Sequence, residues 1–130
     1  MNLAVGILLS AVRLITPTQE SDCEALSQAG MRDCYENLQI EDETALKLAE
    51  DRLQAFMARQ LSNPKSKDDA LKRLKLQSAA FVNYRHEHCA FVASLSAGAI
   101  GNAIDIARLR CTHQLTTQQI ELLKNLISEE

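Results

Sequence analysis

The chain has 130 residues, 46% hydrophobic and 24% charged, with only 4% aromatic residues, four glycines, two prolines and no tryptophan. That length fits one domain around one core, and so few turn-formers exclude a many-stranded sandwich or barrel, pointing to an all-α fold. A net charge of -3 excludes generic nucleic-acid binding, which depends on clustered phosphate-neutralising cations.

Residues 1–12, MNLAVGILLSAV, form an apolar run closed by Arg13 and a Thr-Pro-Thr turn. The run is shorter than the about 20 apolar residues that span a bilayer, but it matches the about 7–15 of a signal-peptide hydrophobic region. Residues 1–19 are therefore expected to be a signal peptide, with an amphipathic N-terminal helix as the rival. Residues 20–130 are then the mature domain, periplasmic or secreted, with no integral membrane span after processing.

Ser27 predicts the N-cap of a long helix running to about Leu61. Its inward stripe reads Met31, Cys34, Tyr35, Leu38, Ala45, Ala49, Leu53 and Phe56, with Asp42 the polar interruption. Pro64 stops it, and Ser66 is expected to start a second helix with Asp68 and Asp69 in its first turn. The second stripe runs Leu71, Leu74, Ser78, Phe81 and Val82, Arg85, Cys89 and Val92. Two helices around so short a break predict an antiparallel hairpin. Residues 94–101 are small and form a connection, after which Asn102 caps a short helix to about Cys111. Thr116, with Gln119 three residues on and Leu115 packed against Ile120, predicts the cap of a separate last helix to about Ile127. The expected architecture is an antiparallel helical hairpin with short C-terminal helices.

Charge is uneven: residues 20–51 hold ten acids against Arg32 and Lys47, whereas residues 52–113 hold ten bases against four acids. Pairing across the hairpin is expected to neutralise much of this separation within the fold.

Cys23, Cys34, Cys89 and Cys111 allow three pairings. With the hairpin centred near Pro64, Cys34 faces the neighbourhood of Cys89, which leaves Cys23 for Cys111. Disulfide stapling in this pattern is the expectation. A zinc site drawing on His86, Cys89, Cys111 and His113 is the rival, but the close Cys-x2-Cys spacing of structural zinc modules is missing and exported thiols oxidise. No metal and no cofactor is expected.

Cys23, Met31-x-x-Cys34, a long helix, Tyr84-Arg85-x-x-x-Cys89, a small-residue segment, Cys111 and Leu115-Thr116 together resemble the bacterial lysozyme-inhibitor LprI-like domain, over about residues 22–123. The chain departs from the family pattern at Phe81 (usually Trp), His86 (commonly Asp), Gln54 (Asn) and Gln119 (Arg). The resemblance implies an exported, helical, disulfide-stapled protein whose partner is a protein, lysozyme or another cell-wall hydrolase. Such an inhibitor needs only to occlude its target's cleft, with acids such as Glu36, Glu43 and Glu50 steering it to a basic partner. Residues 94–101 are the expected protruding element, and no binding residue can be named. The alternative is an envelope interaction or structural protein on the same scaffold; a metal-binding role ranks below both.

Arg85 falls on the inward stripe, where a guanidinium needs a partner. Asp42 is the polar position of the facing stripe, so a structural Arg85–Asp42 ion pair is expected. No catalytic constellation stands out. Ser62 and Lys65 share a Ser-x-x-Lys spelling at a Pro-broken helix end, without the helical turn that would aim one at the other. His86, His88 and His113 read as surface or rim residues, and the protein is not expected to be an enzyme.

Overall fold

The computed structural model describes residues 18–96 and 101–128. Most of the expected signal peptide, and residues 97–100 of the expected protruding connection, lie outside the described residues. Four helices occur among the described residues: α1 (Thr18–Glu24), α2 (Gln28–Gln60), α3 (Pro64–Ser94) and α4 (Ala103–Ser128). No strand occurs among the described residues.

The all-α, disulfide-stapled reading holds, and local chemistry explains the helix boundaries. Ser27 caps α2 as expected, its Oγ accepting the Gly30 N–H at 3.3 Å. Helix α3 starts two residues before the expected Ser66. Asn63 is its cap, with Oδ1 accepting from Lys65 N at 2.9 Å and Ser66 N at 3.3 Å. Pro64 therefore ends one helix and opens the next, because at N1 its fixed φ suits the helix and its missing N–H would have no partner anyway. This earlier start leaves Asp68 and Asp69 beyond the first turn.

The two short C-terminal helices are one. Helix α4 begins after Asn102, whose carbonyl accepts the Ile106 N–H at 2.8 Å, and runs unbroken through Thr116. Gly101 turns the chain into it with φ +69°, a left-handed conformation that suits glycine. Thr116 does not cap, because its Oγ1 instead donates to the Thr112 carbonyl at 2.7 Å. Thr112 and Thr117 bond back in the same way, to Arg108 O at 2.9 Å and His113 O at 3.0 Å. A threonine satisfied by the carbonyl four residues earlier leaves the helix intact.

Helices α2 and α3 run antiparallel about the Pro64 turn, and α4 lies along both, packing most on α2. It runs parallel to α2. Ile106 and Leu109 join Tyr35 and Leu38 in one apolar cluster, and Ile120 and Leu123 join Leu46, Ala49 and Leu53 in a second. Leu46, rather than the expected Ala45, faces the core, and Ala45 is exposed. Phe81 and Leu74 of α3 pack onto the second cluster.

The position of α4 overturns the expected cysteine pairing. The bridges are Cys23–Cys34 and Cys89–Cys111, each with Cα atoms 5.5 Å apart. Cys34 does not reach Cys89, because α4 brings Cys111 to it instead. The short turn at residues 25–27 folds α1 back so that Cys23 meets Cys34. The closed loops span 11 and 22 residues rather than most of the chain. Loops of this size are worth about 3 kcal/mol each in the chain-entropy account.

Candidate functional site

Between the two apolar clusters lies a layer of buried polar side chains: Asp42, Arg85, Thr112, His113 and Thr116. Its connections differ from the expected Arg85–Asp42 pair. Arg85 Nη1 lies 2.6 Å from Glu43 Oε1 and donates to Thr116 Oγ1 at 2.8 Å, while the guanidinium sits 5.3 Å from the Phe81 ring centre. Asp42 turns instead to α4, where its Oδ2 lies 2.6 Å from His113 Nδ1. One residue is about 100° of helix, so Asp42 and Glu43 serve different neighbours. With α4 between the arms of the hairpin, Asp42 meets it and Glu43 meets α3.

Burial pushes the Asp42 carboxyl above its ordinary pKa, and the hydrogen bond from His113 opposes that shift. An ionised carboxylate only accepts, so a neutral His113 donates from Nδ1 and keeps its lone pair on Nε2. Nε2 has no hydrogen-bond partner among the described residues, and it is not among the polar atoms sealed from solvent there. Residues 109, 113, 116, 120 and 123 are all buried and continue one helical period. That period was the available signal for His113, which the expected helix break after Cys111 concealed.

His113 and Asp42 line an open groove of about 740 Å³ bounded by α1, α2 and α4. Ala45 and Ile120 contribute apolar wall, while Glu20, Glu121 and Lys124 add charge. Glu20 holds α1 to α4 by accepting from Gln114 Nε2 at 3.1 Å. His86 is exposed, and His88 stacks on exposed Tyr84 with ring centres 5.4 Å apart, away from His113 in the chain and on another helix. The four residues of the rival metal site are not brought together as ligands, since Cys89 and Cys111 are joined in a bridge. No group of three or more metal-ligating side chains occurs among the described residues, and no helix there is long and apolar enough to cross a membrane.

Of the ion pairs between helices, Arg85–Glu43 crosses the hairpin as expected, whereas the others run to α4. Arg110 Nη2 lies 2.6 Å from Glu24 Oε1, Arg32 Nε lies 3.5 Å from Asp105, and Arg85 reaches Glu43. Glu36 is drawn to Arg32 on its own helix at 3.4 Å. Two of the three acids expected to steer a partner are thus engaged within the fold. Exposed Asp22, Asp33 and Glu41 carry no ion pair among the described residues.

A disulfide-stapled, all-helical module with a groove across its polar layer is the class that this fold and site define. Residues 20–123 match the family described as "Lysozyme inhibitor LprI", and the chain belongs to that family. The family is named for inhibition of an enzyme rather than for a reaction of its own. No curated protein and no solved structure matches the chain at a significant level.

Proposed function

We propose that the protein is an exported binding protein that blocks a lysozyme-type cell-wall hydrolase by occluding its cleft. The observation that carries this reading is the family match, which takes in nearly all of the four-helix chain. Glycoside hydrolysis of this type needs two carboxylates flanking the scissile bond and room for the sugar between them. A rigid body seated over that cleft therefore inhibits without chemistry of its own. Two disulfides fit an oxidising, extracytoplasmic compartment, in line with removal of residues 1–19 as a signal peptide. Asp22, Asp33 and Glu41 supply unpaired negative charge that speeds encounter with a basic partner.

The test is cell-wall lysis followed by turbidity, with the purified, oxidised protein and several lysozyme types. Slower lysis by at least one type is the expected result. Unchanged lysis with every type overturns the reading.

A further inference from the structure

We infer that the groove across α1, α2 and α4 is a docking site for one basic side chain of the partner, a guanidinium or ammonium on an apolar stem. The inference rests on the reading of the protein as a binder of a protein partner.

The floor of the groove is polar and largely buried. Asp42 and His113 are each about nine-tenths buried, yet both line the groove. Their mutual hydrogen bond uses Nδ1, which holds the ring in place and leaves Nε2 without a partner among the described residues. In its neutral form that nitrogen is an acceptor awaiting an N–H donor. Glu121 Oε1 lies sealed from solvent at the edge of the groove, without a hydrogen-bond donor among the described residues and with Lys124 Nζ 3.8 Å away. Three carboxylates, Glu20, Asp42 and Glu121, face one lysine in this groove. Such a site favours a cation rich in donors over an anion or a neutral acceptor.

The walls select the rest of the ligand. Ala45 and Ile120 offer apolar surface beside the charged floor, matching the methylene stem of arginine or lysine below its charged head. Ala45 keeps this space open, because a larger side chain at that exposed position would fill it. A bound metal is a poorer match, since the described residues bring no three metal-ligating groups together.

The His113 ring shares the groove and its buried layer with charged groups from the other helices. The groups around the ring are Tyr35, 6.3 Å from it, and Asp42 on α2, Glu20 on α1, and Glu121 and Lys124 on α4. From α3, Arg85 enters the same buried layer but is engaged by Glu43 and Thr116.

The experiment titrates the oxidised full chain with n-butylguanidinium, n-butylammonium and the neutral analogue N-butylurea, reading the His113 ring resonances by NMR. Both cations are expected to give saturable shifts, and the urea none at the same concentrations. Binding of the cations should weaken at least tenfold in Ala45→Leu, which fills the groove from an exposed position, and in Asp42→Asn. It should weaken about threefold in the surface variant Glu20→Gln. No shift with either cation, an equal response to the urea, or undiminished binding in Ala45→Leu would overturn the inference, whatever the lysis assay gives. Cation binding without inhibition of any lysozyme would leave the groove chemistry standing and remove the hydrolase as partner. Inhibition fully retained by Ala45→Leu after probe binding is lost would overturn the assignment of the groove to the partner.

Discussion

At one end of the bundle, Cys23–Cys34 and Cys89–Cys111 tie α1 to α2 and α3 to α4, around Tyr35, Leu38, Ile106 and Leu109. At the other, beyond the buried polar layer, Leu46, Leu53, Ile120 and Leu123 close on one another with no covalent tie. The stapled end also carries a charged clasp. The buried Tyr35 donates its hydroxyl to Glu24 Oε1 at 2.6 Å, and Arg110 Nε reaches the same oxygen at 2.7 Å. Tyr35 is pushed up to about 12 by burial and by that carboxylate. The Pro64 end has the Asn63 cap and apolar packing instead. A chain this small thus uses two means of holding three long helices, and the groove lies where they meet.

Reduction of both bridges gives the largest test of that contrast. The two closed loops do not overlap, so their contributions add, and dithiothreitol should lower the unfolding free energy by about 6 kcal/mol in urea titrations. A loss below about 1 kcal/mol would mean that packing alone holds both ends. Leu53→Ala strikes the other end and should cost about 3 kcal/mol by the same measurement. Its cost should be the same in oxidised and reduced protein if the ends are independent, and non-additivity would show them to be one cooperative unit.

Arg85→Ala acts between the two ends and should cost about 2 kcal/mol, through the Glu43 and Thr116 contacts and the Phe81 ring. Thr116 keeps its bond to the Thr112 carbonyl in that variant, so a loss above about 4 kcal/mol would show that the layer depends on Arg85 for more than its own contacts.

The smallest effect is in pH. The hydrogen bond from Tyr35, and then Arg110, holds Glu24 below its ordinary value of 4.5. Its contribution to stability is therefore present above about pH 4.5 and is lost as pH falls through the lower folded-state value. Glu24→Gln should flatten the acid side of the stability profile in thermal melts. An unchanged slope below pH 4.5 would remove Glu24 from the clasp. Asp42 works in the opposite sense, since its carboxyl is held above its ordinary value and its ionisation in the fold costs stability as pH rises.

Much of this was legible in the residues. Ser27, the break before Pro64 and the inward position of Arg85 each follow from local chemistry or helical period, and the family match agrees with the cysteine frame. What escaped was the placement of α4. A two-armed hairpin places Cys34 opposite Cys89 and Asp42 opposite Arg85, whereas a third helix between the arms redirects one member of each pair. Thr116 shows why the third helix was hard to read. The same hydroxyl that caps a helix start also satisfies a carbonyl inside a helix, as Thr112, Thr116 and Thr117 all do here. Reading His113 as a rim residue followed from that same break.

Neighbouring cysteines pair in order along the chain, first with second and third with fourth. A chain that meets its oxidant from the N-terminus can close Cys23–Cys34 before Cys89 has arrived. When Cys89 does arrive, Cys111 is the only thiol left for it. Emergence in order therefore reaches the native connectivity without reshuffling. That order frees the first bridge from the slower docking of the long helices, while the second closes as α4 is set against α3.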